Sequence, residues 1–149
     1  MRLVIQRVTE SSVEIDGKIH GQIKEGLMVL VGIKETDNEA ILKKMVEKLI
    51  HLRIFEDENQ KLNLSLIDIK GEILSISQFT LYADCKKGRR PSFLAAAKPQ
   101  ISKPLYERFN KMIEDEGIHV ETGVFGAMMN VKLINSGPTT IILDSDEIM

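Results

Sequence analysis

The 149-residue chain has no tryptophan, a single cysteine (Cys85), and only three histidines, His20, His51 and His119. Each shortage excludes something. A lone cysteine closes no internal disulfide, which favours a reducing compartment. Lys86 and Lys87 beside it would favour the thiolate, but no base is placed next to it, so Cys85 reads as an ordinary thiol rather than a nucleophile. The histidines are scattered, without an H-x-x-x-H pair or a second cysteine, so no metal site is expected. His51, among Leu49, Ile50 and Leu52, reads as a half-buried residue at a helix end. No G-x-G-x-x-G or G-x-x-x-x-G-K-[ST] occurs, which removes the nucleotide-loop fingerprints. Aromatics make up 5% of the chain, too few for a broad base-stacking platform. No apolar run approaches the ~20 residues of a membrane span. "MRLVIQRVTE" has no long apolar stretch before a small-residue cleavage site, so no signal peptide is expected and the protein is placed in the cytoplasm. The formal net charge of −2 does not suit a protein that grips long nucleic acid, and DNA is not an expected partner. The end of an RNA would need only a local basic patch.

The composition is otherwise that of one globular unit: 43% apolar and 28% charged residues, with no repeat, linker or low-complexity tract. A single domain over residues 1–149 is expected, large enough to bury roughly two-thirds of its unfolded surface. "RLVIQRV" reads as a strand. "SSVEIDGKIHGQI" alternates on both sides of Asp16-Gly17, a hairpin signal. "GLMVLVGI" is apolar throughout and reads as a buried central strand. Thr36 and Glu39 have capping-box spacing, and Ile41, Leu42, Met45, Val46 and Leu49 then recur at helical period to about Leu52. "GEILSISQFTLYA" reads as a further strand. "KGRRPSFLAAAKPQISKP" reads as a basic loop, followed by a second helix from Ser102 to Gly117. The remainder reads as strand, glycine-containing loop, strand, Gly-Pro, strand. The order is not a regular βαβ alternation. It predicts an α+β fold with a mainly antiparallel sheet that curls towards a barrel or sandwich, and two amphipathic helices outside it. Two helices cannot cover every apolar strand face, so a homodimer is expected.

Two stretches could carry chemistry. In "SISQFTLYAD", Ser77, Gln78 and Thr80 flank Phe79 at the end of an apolar strand. They are either a strand edge satisfying its own hydrogen bonds or groups that a rigid sheet presents to a pocket. In "NSGPTT", Gly137-Pro138 separates two apolar runs. It is either a turn or a backbone segment that another molecule approaches closely, since Gly137 has no Cβ.

"SQFTLYAD" (77–84), "GRRPSF" (88–93), "GVFGAMMNVKLINSGPTT" (123–140) and the opening "MRLVIQRVTESSVEIDG" together resemble the D-aminoacyl-tRNA deacylase (D-Tyr-tRNA(Tyr) deacylase) family. The resemblance runs the whole length, with the motifs in order. It departs at Ser136 and Thr139, where the family commonly reads N-D-G-P-V-T.

The resemblance implies a homodimer that hydrolyses the ester between a D-amino acid, or mischarged glycine, and the 3′-terminal adenosine of tRNA. No metal or organic cofactor is implied. Ser77, Gln78, Phe79 and Thr80 would form the catalytic segment. The N–H groups around Phe79 and Thr80 would be the oxyanion-hole candidates. Thr80 as nucleophile is the alternative, disfavoured because no base is evident to activate it. The tRNA 2′-hydroxyl would then assist water. Gly137 and Pro138, joined by a cis bond, would present their carbonyls to the partner's active site and exclude L-substrates by a clash. Phe125, Ala127, Met129 and Asn135 would contact substrate. For Met129, core packing is an equal reading. Lys86, Lys87, Arg89 and Arg90 are either a solvated loop or contacts to tRNA phosphates. Two other classes compete: a non-catalytic RNA-binding module and a small-molecule enzyme of the imine-deaminase kind.

Overall fold

One strand organises the rest of the chain. In the computed structural model, which describes Met1–Met149, β1 (Arg2–Ile15) runs for 14 residues and pairs antiparallel with three others. β2 (Lys18–Ile23) and β3 (Gly26–Gly32) follow one another along one edge of it, and β8 (Asn130–Asp144) runs along the other. The two segments read as "RLVIQRV" and "SSVEI" are thus a single strand. The predicted hairpin is present, with φ of 51° at Asp16 and 77° at Gly17. Both central residues of a two-residue loop are positive, as a type I′ turn requires.

The chain between β3 and β8 builds the second half of the sheet. Helix α1 (Glu39–His51) leads to a separate small ladder, β4 (Phe55–Glu56) with β5 (Leu62–Leu64). The short α2 (Leu66–Ile69) precedes β6 (Glu72–Ser77), which lies parallel to β3. A 3₁₀ turn (Phe79–Tyr82) and helix α3 (Pro99–Asp115) follow. β7 (Val120–Thr122) then pairs parallel to β6. The short α4 (Ser145–Ile148) ends the chain. The sheet is therefore mixed, antiparallel around β1 and parallel around β6. It is also nearly closed: His20 Nδ1 on β2 lies 3.0 Å from the Thr122 carbonyl oxygen on β7.

Strand periodicity divides the apolar residues between two cores. Leu3, Ile5, Leu27, Val29, Val31 and Ile73 point to the face covered by α1 and α3, where they meet Leu42, Met45, Leu49, Phe109 and Ile113. Val8, Val13, Ile23, Met28, Leu74 and Ile76 fill the inside of the curl. "GLMVLVGI" is continuously apolar because β3 is buried on both faces.

Four local expectations are corrected. The N-cap of α1 is Asn38, whose Oδ1 accepts the Ile41 N–H at 3.1 Å, not Thr36. Residues 34–37 are held in a preceding turn: Asp37 accepts the Lys34 N–H at 2.9 Å and the buried Met1 ammonium at 2.7 Å. Helix α3 starts at Pro99 and not at Ser102, since proline suits the first helical position, where its missing N–H has no acceptor. The strand through "GEILSIS" stops at Ser77, and Phe79–Tyr82 turn away as a 3₁₀ helix. His51 is exposed at the end of α1, not half-buried.

Candidate active site

The parallel strands β3 and β6 both end beside a cleft of about 610 Å³. Val31, Ile76 and Ser77 form its floor. One wall is Gln78, Phe79 and Phe93, with the two rings edge to face at 5.2 Å. The opposite wall is the Phe125–Met129 loop, and the start of α3 (Lys98, Pro99, Ser102) closes one end. Behind it Tyr106 donates to the Ser75 carbonyl at 2.8 Å, and its ring lies 6.1 Å from that of Phe125.

The 3₁₀ turn is pinned at both ends. The Gln78 N–H donates to the Val31 carbonyl at 2.8 Å, and Arg2 Nη1 donates to the Leu81 carbonyl at 2.7 Å. The Arg2 guanidinium also lies over the Tyr82 ring at 4.8 Å and pairs with Asp144 at 2.8 Å. Burial, with Asp37 and Asp144 nearby, pushes the Tyr82 phenol well above its ordinary range and keeps it protonated. Burial also pushes the Asp144 carboxyl up. The Asp146 N–H and Arg2 outweigh that effect and hold it below its ordinary value.

A helix leaves its first N–H groups without intrahelical acceptors. In this turn those belong to Phe79 and Thr80, and neither donates to any backbone carbonyl outside the regular elements. Both donors are therefore unused; Phe79 lines the cleft and Thr80 follows it in sequence. The Thr80 hydroxyl is engaged by the Gln78 side-chain amide. No carboxylate, histidine or cysteine lines the cleft, and Lys98 is its one ionisable side chain.

The second candidate is a bulge. Gln6 pairs with Thr140 and Val8 with Asn135, so Ser136–Thr139 stand opposite Arg7 alone. The Gly137–Pro138 bond is cis, and Gly137 has φ +122°. The bulge is braced from below and from within. The buried Arg7 donates through Nε to the Ser136 carbonyl at 3.1 Å and through Nη1 to the Ile54 carbonyl at 2.9 Å. Asn135 Oδ1 accepts the Thr139 N–H at 2.8 Å. Ser136 and Thr139 thus make these contacts through backbone atoms. Gly137-Pro138 is neither a turn between two strands nor part of its own chain's cleft: β8 runs continuously through it, with Gly137 and Pro138 exposed.

Six of the sequence-predicted residues meet in the cleft: Ser77, Gln78, Phe79, Phe125, Ala127 and Met129. Thr80, next in sequence, is not among the residues that line it. Asn135, Gly137 and Pro138 lie apart on β8. Lys86, Lys87, Arg89 and Arg90 are exposed on a loop closed by mutual Asp84–Ser92 backbone bonds of 2.7 and 2.8 Å, next to Phe93. Sequence reasoning missed Arg7, Phe93, Lys98 and Ser102. Arg7 carried a signal: it falls in phase with the buried Leu3 and Ile5, where a charge is out of place.

Comparison with known proteins covers nearly the whole chain. The D-Tyr-tRNA(Tyr) deacylase family model matches residues 4–144. The chain is 60% identical over 147 residues to a D-aminoacyl-tRNA deacylase of Bacillus pumilus (strain SAFR-032), covering 99% of this chain and 100% of that protein. It is 56% identical to one of Thermus aquaticus, covering 99% and 97%. Among solved structures, "c-Myc DNA Unwinding Element Binding Protein" superposes with a TM-score of 0.91 at 38% identity, covering 97% of this chain and 98% of that one. A probable eukaryotic D-amino acid tRNA deacylase shares the fold, with a TM-score of 0.82 at 20% identity over 95% and 97% of the two chains.

Proposed function

Because the chain belongs to the D-Tyr-tRNA(Tyr) deacylase family, we propose that it hydrolyses the ester linking a D-amino acid, or mischarged glycine, to the 3′-terminal adenosine of tRNA. Water adds to the ester carbonyl and the ribose oxygen leaves with a proton. The products are free amino acid and reusable tRNA. The observation that carries the reading is the pair of unused N–H groups of Phe79, which lines the cleft, and Thr80, which follows it in sequence. Donors preorganised for the developing oxyanion lower such a barrier by several kcal/mol. With no carboxylate, histidine or cysteine in the cleft, the attacking water is activated by the neighbouring ribose 2′-hydroxyl, and Ser77 and Gln78 shape the site. Phe125, Ala127 and Met129 hold the adenosine end. Lys86, Lys87, Arg89 and Arg90 meet phosphates further along the tRNA.

Selection for D-substrates belongs to Gly137 and Pro138. Their backbone is exposed, braced by Arg7, and absent from its own cleft. It therefore acts in the cleft of a second copy, with Asn135 holding the bulge in shape. A homodimer fits the rest of β8, which pairs with β1 alone and exposes Ile134 and Ile142. Main chain has no rotamers, so an L-side chain meets a fixed obstacle, whereas glycine has nothing to exclude.

The test is to incubate the protein with D-Tyr-tRNA and L-Tyr-tRNA and follow ester loss. Cleavage of the D-ester alone is expected. Retained tRNA binding without cleavage would make the chain an RNA-binding module. Neither cleavage nor binding would point to a small-molecule enzyme. No helix is long and apolar enough to cross a membrane, and the cytoplasm, where tRNA is charged, is the proposed location.

A further inference from the structure

Among the 18 residues lining the cleft, Lys98 alone has an ionisable side chain. It forms no ion pair with any acidic group of the chain. Nor does the fold require a lysine there. Lys98 is the N-cap of α3 and makes no side-chain capping bond, whereas Ser, Thr, Asp or Asn would stabilise that position. A cation there also opposes the helix dipole. The charge is thus unfavourable for the helix and unused within the chain, at one end of a cleft otherwise walled by apolar and neutral groups such as Phe79, Phe93 and Met128.

We infer that Lys98 is a substrate-positioning residue that binds the phosphate on the 5′-oxygen of the terminal adenosine. The inference rests on the deacylase reading above. The ester and this phosphate sit on one ribose, so a cleft that holds the reacting carbonyl has that phosphate within or beside it. The other cations near the cleft, Lys86, Lys87, Arg89 and Arg90, are carried on the separate 84–92 loop. They can serve phosphates nearer the acceptor stem. Two sets of cations would then read two parts of the substrate: Lys98 the last nucleotide, the loop the strand before it. Through Lys98 the contact is ionic, with the helix backbone taking no part.

The experiment uses two non-hydrolysable competitors of D-Tyr-tRNA cleavage. Both are 3′-amide analogues of D-tyrosyl-adenosine, one with a free 5′-hydroxyl and one with a 5′-methyl phosphate. In the wild type the phosphate should improve inhibition by about fivefold at low salt, as a partly exposed ion pair does. Lys98→Ala should remove that advantage and leave the inhibition constant of the phosphate-free analogue unchanged. Lys98→Arg should retain it. With D-Tyr-tRNA, Lys98→Ala should raise KM with little change in kcat. It should also lower the slope of log KM against log salt by about 0.7, the value for one phosphate of a single strand. An equal loss for both analogues, a phosphate that adds nothing in the wild type, or inhibition by neither would overturn the assignment. Cleavage of D-Tyr-tRNA by the wild type in the same assay tests the deacylase reading separately. If that cleavage is present, any of these failures removes only the role of Lys98.

Discussion

The 3₁₀ turn at Phe79–Tyr82 and the bulge at Ser136–Thr139 are built by one device and expose different backbone groups. Each is a break in regular strand. Each has a carbonyl held by an arginine of β1, Leu81 by Arg2 and Ser136 by Arg7. The turn leaves N–H groups available and borders its own cleft. The bulge exposes Gly137 and Pro138 and does not line it. One break thus leaves N–H groups unused and the other leaves main chain exposed. The arginines differ as well. Arg7 is buried and has only a distant carboxylate, Glu56 at 3.6 Å, while Arg2 is partly exposed and closely paired with Asp144. The bulge therefore depends more heavily on its arginine than the turn does.

The largest effect is expected from Arg7→Ala. It removes charged donors from the Ser136 and Ile54 carbonyls and leaves a cavity, a loss of about 3 kcal/mol. Chemical denaturation should show it, and selectivity for D- over L-Tyr-tRNA should fall in the fraction that remains folded. A variant of wild-type stability and selectivity would remove Arg7 from the comparison. Next comes Gly137→Ala. A φ of +122° is unsuited to an L-residue, and the added Cβ would lie 2.6 Å from Thr139 Oγ1 and 2.9 Å from Arg7 Nη2. The bulge must shift, and a displacement of that scale at a binding surface reduces turnover by roughly a hundredfold. Unchanged cleavage of D-Tyr-tRNA and an unchanged D/L ratio would separate the bulge from selection.

Arg2→Ala tests the other half of the comparison, with a smaller effect. The ion pair is partly screened, so about 1 kcal/mol is expected at neutral pH. The folded-state pKa of Asp144 lies below 3.8. Its contribution is therefore complete above that ordinary value and is lost as pH falls through the folded one. The gap between Arg2→Ala and wild type should accordingly narrow in urea titrations carried below pH 3.8. A gap that stays constant into acid would mean that Arg2 acts through Tyr82 and Leu81 rather than through Asp144.

How far the sequence reached follows the same division. Periodicity is a short-range property, so the hairpin at Asp16-Gly17, the α1 face and the buried strand β3 were legible. The parallel pairing of β3 with β6 was not, because nothing local in either strand records its partner's direction. Helix α3 begins at Pro99 rather than Ser102 because a proline-containing stretch reads as loop, whereas proline also suits the first helical turn. The cleft was legible in its motifs, "SQFT" and "FGAMM", yet Lys98 and Ser102 reach it only because α3 folds back across the sheet. Gly137-Pro138 looked like a turn because strand interiors exclude proline. A four-residue bulge satisfies that rule without ending the strand.

The smallest expected effect belongs to Thr80→Ala, and it bears most directly on how the turn works. If the catalytic group is main chain, removing the hydroxyl leaves the Thr80 N–H in place and takes away only a partner of the Gln78 amide. Turnover of D-Tyr-tRNA should then stay within about fivefold of wild type, the loss of one exposed neutral hydrogen bond. A Thr80 nucleophile would instead require a base to take its proton, and no carboxylate, histidine or cysteine lines the cleft to do so. Loss of turnover with unchanged tRNA binding and thermal stability would favour that nucleophile and overturn the backbone mechanism. Retained turnover would leave both breaks in the strand pattern working through their main chains: the turn through its N–H groups, the bulge through its carbonyls.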